Sequence, residues 1–185
     1  MVNLTLKRAV AIAVLAGASV GAQAQATRSL GPISIDGPPT SFNGTIDAGA
    51  KTFNDIFTFT PAVNNGGAGA TVVNVPLTVP HIGDWNAVLN TFTLMSAGAD
   101  NTVGTSDDSK LVSATAGAGD SLSLSWNQPI TGLAYLNVTG IGNGTNGGLY
   151  SGFIGVSPVP EPETYAMLLA GLGLMGAVVR RRRQS

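Results

Sequence analysis

The sequence predicts an all-β domain, a sandwich or jelly-roll-like fold, carried between two hydrophobic terminal segments. Three observations predict it. Between residues 27 and 157 no stretch repeats its apolar residues at helical spacing. β-branched and alternating runs recur there instead, each closed by Gly, Asn, Asp or Pro. About eight such runs follow one another without a fixed-period repeat, which favours a sandwich over a β-helix.

The elements follow in order. SFNGTID (41–47) reads as a short strand with a turn. KTFNDIFTFT (51–60) is the clearest strand; Pro61 ends it, and Asn64-Asn65-Gly66-Gly67 makes a loop. ATVVNVPLTV (70–79) is β-branched and extended, with Pro76 marking an edge or a bulge. AVLNTFTLMS (87–96) alternates and stops at Gly98, and 110–115 is a short strand. SLSLSW (121–126) alternates strictly, so Leu122, Leu124 and Trp126 share one face and Trp126 belongs to the core. ITGLAYLNVTG (130–140) alternates as well, and LYSGFIGV (149–156) closes the domain. The loop over 140–148, rich in Gly and Asn, favours a hairpin.

Composition narrows the function classes. The chain has no cysteine, which excludes disulfides, Cys-type zinc sites and a lipid-bearing cysteine anchor. Residues 27–157 hold three cations (Arg28, Lys51, Lys110) and eight aspartates, a net of −5. With no basic patch, nucleic acid is not an expected partner.

Catalytic constellations are absent from the pattern, and the domain is not expected to be an enzyme. The single histidine, His81, lies in VPHIGDW between a proline and a glycine, where a surface turn is expected. Asp107 and Asp108 are adjacent, so on a strand their side chains would face opposite ways, and no glutamate lies within 27–157. ADNTVGTSDDSK offers hard oxygen ligands for calcium in Asp100, Asn101, Asp107 and Asp108, but at neither the EF-hand nor the nonapeptide spacing; the alternative is a solvated acidic loop. Trp85, after a turn, is the more exposed tryptophan; with Tyr135 and Tyr150 it is a candidate for stacking on sugar. Phe53, Asp55, Phe57 and Phe59 share one face by the two-residue period. Asp55 among those rings must be hydrogen-bonded, by capping backbone N–H groups, or ion-bound.

The termini carry the topology. Residues 1–26 have Lys7 and Arg8, an apolar stretch from Ala9 to Val20, and the small-residue patterns Ala22-Gln23-Ala24 and Ala24-Gln25-Ala26. This is a secretory signal peptide, with cleavage expected after Ala24 or Ala26. At the other end an apolar run, residues 165–179, lies between Pro160-Glu161-Pro162 and Arg180, Arg181, Arg182 and Arg183. The arginines are a cytoplasmic stop, and the run is expected to be a single transmembrane helix. At about 1.5 Å per residue it spans roughly 22 Å against a bilayer core of about 30 Å, and Gly171, Gly173 and Gly176 weaken it further. Such a segment suits brief retention and transfer to a membrane enzyme; a simple anchor with glycines packed on a neighbouring helix is the alternative.

The order Pro160-Glu161-Pro162, apolar span, arginine cluster over 158–185 resembles the PEP-CTERM sorting domain, also called the ice-binding protein C-terminal domain. The resemblance implies that an exosortase, a membrane enzyme of Gram-negative bacteria that form extracellular polysaccharide, recognises and removes the tail. Glu163 departs from the small residue more usual there. Threonines are scattered along the chain, so the second name is not read as an activity. The Phe53-x-Asp55-x-Phe57 pattern, with GGLYSGFIGVSPVPEP, resembles the FxDxF subgroup, which implies no enzymatic activity. The expected protein is therefore an exported β-domain of the cell envelope or extracellular matrix, structural or adhesive, needing no cofactor. The alternative is a calcium- or carbohydrate-binding module associated with extracellular polysaccharide.

Overall fold

The computed structural model describes residues 26–49, 52–62, 66–117, 120–159 and 162–182. The expected signal peptide before Ala26 lies outside the described residues, as do Lys51, Asn64, Asn65, Pro160, Glu161 and Arg183.

Eleven strands precede one helix among the described residues. They are β1 (Thr27–Ile33), β2 (Thr40–Ile46), β3 (Phe53–Pro61), β4 (Gly66–Asn74), β5 (Leu77–Val79), β6 (Gly83–Trp85), β7 (Ala87–Ser96), β8 (Ser109–Thr115), β9 (Ser121–Ile130), β10 (Ala134–Gly142) and β11 (Gly148–Pro158), followed by α1 (Pro162–Arg182). Five strands form one sheet in the order β1-β3-β10-β7-β8, four form a second in the order β2-β11-β4-β9, and β5 pairs with β6 in a ribbon. The two large sheets pack face to face as a β-sandwich.

Period-two alternation builds the core. β2 buries Phe42, Gly44 and Ile46 while Ser41, Asn43 and Thr45 face out. β3 turns Phe53, Asp55, Phe57 and Phe59 inward, as the sequence pattern predicts. Phe42 of the four-stranded sheet meets Phe57 at 4.7 Å and Phe92 at 6.2 Å in the five-stranded sheet, which ties the layers together. On the outer side of the five-stranded sheet, Ile56, Ala97 and Tyr135 form a second cluster with Met95, Val103 and Leu133. The loop over 97–108 is thereby packed down on the sheet.

Four expectations change. β1 is absent from the sequence reading because TRSLGPI does not alternate; it forms by parallel pairing with β3, Thr27 opposite Ile56. The single run expected over 70–79 is two strands, because Pro76 cannot continue the ladder and the chain leaves the sandwich for the β5–β6 ribbon. The segment after β10 is no hairpin: β10 belongs to one sheet and β11 to the other, so residues 143–147 carry the chain between layers. Gly66 and Gly67, expected in a loop, open β4 instead. Pro129 is accommodated because β9 is the edge of its sheet.

Candidate functional site

Two places could carry function: the buried aspartate of β3 and the tail. Asp55 is 4 % exposed and is the buried charged residue of the core. Its Oδ1 accepts the backbone N–H of Ala26 at 3.1 Å, and its Oδ2 accepts the Tyr150 hydroxyl. The backbone carbonyl of Ala26 in turn accepts the Ile56 N–H at 2.8 Å. Asp55 therefore holds the chain entering β1 against β3 and joins β3 to β11 across the sandwich. Tyr150 is buried, stacks on Phe53 at 5.2 Å and meets Phe57 edge-on at 6.4 Å. Burial first, and then the hydrogen bond to Asp55, push its phenol well above the ordinary range. Gly44 makes room for the ring: a Cβ there would overlap Tyr150. Of the two outcomes open to Asp55, the structure shows hydrogen bonding.

The acidic loop is held by its own donors. Asp107 Oδ2 accepts the Ala99 N–H at 2.8 Å and the Asp100 N–H at 3.3 Å, while its Oδ1 accepts the Thr105 hydroxyl at 2.6 Å. Asp108 Oδ2 accepts the Gly104 N–H and the Tyr135 hydroxyl, both at 2.7 Å. Asp100 Oδ1 accepts the Thr102 N–H at 2.8 Å, and Asn101 Oδ1 accepts the Leu133 N–H at 2.9 Å. The four candidate ligands thus cap the turns around them and point their oxygens at several different donors. Among the described residues no group of three or more His, Asp or Glu could hold a metal ion.

Hydrogen bonds lower three aspartates. The Thr145 hydroxyl does so at Asp84, the Thr105 hydroxyl at Asp107 and the Tyr135 hydroxyl at Asp108. A carboxyl lowered in the folded state adds stability that is complete above its unfolded value, near 3.8 here, and is lost as pH falls through the folded value. Carboxyl carbon NMR should therefore place the midpoints of all three below about 3.9, and Thr105→Val should raise that of Asp107. Midpoints at or above that value would remove these bonds as anchors of the loops.

His81 is exposed on the turn between β5 and β6 with φ of 68°, as expected of a surface turn. Trp85 is half-buried on β6, and Trp126 packs partly buried against the core with its Nε1 enclosed and unpartnered. Tyr135 and Tyr150 are both buried, so neither offers a ring to sugar. Sequence reasoning missed Tyr150 as the partner of Asp55; a tyrosine at an inward position of LYSGFIGV was the available signal.

Helix α1 begins at Pro162, where a missing N–H and a fixed φ suit a first helical position. Its described apolar side chains are exposed: Met167 is 76 % accessible, Leu174 70 % and Leu169 68 %. They occupy no single face, so α1 has no stripe with which to dock on the sandwich. Among the described residues no helix is long and apolar enough to cross a membrane. The transmembrane helix expected over 165–179 is therefore not shown, and the side chains of 177–179 lie outside the described residues. The apolar run is shorter than the about 20 residues a span needs, and alanines and glycines dilute it. Arg180 and Arg181 follow on the same helix, exposed.

No curated protein matches the chain. Among solved structures, the pre-peptidase C-terminal domain of a collagenase from Bacillus anthracis is similar at 16% identity, with a TM-score of 0.38 over 71% of this chain and 95% of that one. Nothing about this chain rests on that likeness. Residues 158–183 match the family model of the PEP-CTERM protein-sorting motif, which takes in the end of β11, the helix and the arginines. That motif implies export, anchoring at a membrane before processing, and processing by an exosortase. A β-sandwich that ends in an exposed apolar helix and a run of arginines is thus a protein carrying a PEP-CTERM sorting motif.

Proposed function

We propose that the chain is an exported, non-enzymatic β-sandwich delivered by its tail to the cell envelope or extracellular matrix, where its role is structural or adhesive. The observation that carries the reading is the sorting-motif match at 158–183, placed on a helix whose apolar side chains are exposed. Lacking the length of a stable span, the helix is held at the membrane by the exosortase together with the arginines, whose transfer across lipid is costly. Pro160, Glu161 and Pro162 are the motif the enzyme reads. The tail is then removed, and the intact mass of protein recovered from producing cells tests this.

The Phe53-Asp55-Phe57 pattern is, on this reading, a core device. It needs Ala26: the Ala26 N–H is one of two donors to Asp55. Cleavage after Ala26 would remove that donor, whereas cleavage after Ala24 would keep it. We place the mature N-terminus at Gln25.

Calcium has no structural part in this reading, because the oxygens of Asp100, Asn101, Asp107 and Asp108 already accept the hydrogen bonds of their own loop. Melting in millimolar Ca²⁺ and in EDTA should agree within about 1 °C; tight binding would instead stabilise by mass action, by about 2.7 kcal/mol at a hundredfold excess over Kd. A calcium-dependent rise in melting temperature would replace this reading of the loop with the binding one.

A further inference from the structure

We propose that the outer face of the four-stranded sheet binds a neutral polysaccharide, with a pyranose ring stacked on Phe153. The inference concerns the sandwich alone and stands whether or not the tail is processed. Alternation along β11 turns Phe153 outward, and the ring is 51 % exposed. Register places Ser41 of β2 on one side of it and Thr71 of β4 on the other, with Ser123 of β9 next in the row. The Thr71 and Ser123 hydroxyls are hydrogen-bonded at 2.9 Å. One row along, Gly155 of β11 pairs with Gly69 of β4, and a Cβ at either would meet nothing within 4 Å. The ring thus borders a floor of bare backbone in a groove of about 470 Å³, of whose lining residues Asp36 alone is charged.

The chemistry selects the occupant. A pyranose presents C–H bonds on its faces and hydroxyls on its rim, which suits one flat aromatic ring set among hydroxyls. The glycine floor lets a chain lie close to the sheet. A protein-binding patch would centre on a cluster of large apolar or arginine anchors, and here there is a single ring. The groove has no cation for an acidic polymer, and residues 27–157 carry a net charge of −5, which repels one.

Affinity electrophoresis of the full chain in non-ionic detergent, through gels cast with hydroxyethylcellulose, dextran or alginate, tests the proposal. The expected result is retardation by a neutral glucan and none by alginate. Phe153→Ala should weaken retardation about tenfold, on the scale of a lost aromatic stack. Gly69→Val should weaken it as much while leaving the melting temperature unchanged, since the added side chain enters open space and fills the groove. Phe153→Tyr should retain binding, and Ile82→Ser, on the β5–β6 ribbon, should not affect it. Retardation by alginate alone, by no neutral gel, or undiminished in both Phe153→Ala and Gly69→Val overturns the proposal, as does equal loss with Ile82→Ser.

Discussion

Tyr150→Phe should destabilise the sandwich by about 2–3 kcal/mol, a large effect for the removal of one oxygen atom. The phenyl ring keeps its stack on Phe53 and its edge contact with Phe57, so little packing is lost. What changes is Asp55, which is buried and is left with the Ala26 N–H as its remaining donor among the described residues. A buried polar group deprived of its partner costs its full desolvation, which exceeds the net worth of an ordinary hydrogen bond. The double change Asp55→Leu with Tyr150→Phe should cost less than the sum of the two single changes, because no polar group is then stranded in the core. Urea denaturation of the four proteins checks this. Strict additivity, or a loss below about 0.5 kcal/mol for Tyr150→Phe, would show that the pair does not lock the two sheets.

The larger functional effect is expected from the tail. Alanine at Pro160, Glu161 and Pro162, combined with glutamine at Arg180 to Arg183, should abolish processing while leaving the sandwich folded. Both halves of that outcome follow from the layout. The last core side chain of β11 is Val156, and the described side chains of α1 are exposed, so the core does not draw on the helix. On the proposed reading, the arginines set the direction in which the tail is held, and the proline-flanked glutamate is what the enzyme reads. Immunoblotting of cell and medium fractions should show the variant at full tail length, and circular dichroism should show an unchanged melting transition. A variant that is shortened and delivered as the wild type is would detach sorting from both features.

Much of this was legible in the sequence because period and order are local properties. The inward face of Phe53, Asp55, Phe57 and Phe59 follows from spacing alone, and so does the run of motif, apolar segment and arginines. The rest depends on pairing. Tyr150 lies 95 residues from Asp55, on a strand of the opposite sheet, and no spacing rule joins them. β1 exists through its parallel partner and has no pattern of its own. The chain-neighbouring strands that pair are β5 with β6 and β7 with β8, so loop composition between β10 and β11 misleads. Asp107 and Asp108 were legible as loop residues, but not the donors they accept, because short polar side chains capture backbone N–H groups that only the folded loop brings near. The outward direction of Phe153 is visible in its alternation, but the glycine floor beside it appears once Gly69 and Gly155 are in register. The helix was legible as a segment, and so were the three glycines that dilute its apolar run.

The intact mass of the protein recovered from cells that make an exosortase tests the central claim most directly. The account predicts one dominant species that begins at Gln25 and lacks α1 and the arginines. A dominant species that still carries Arg180 to Arg183 would contradict it.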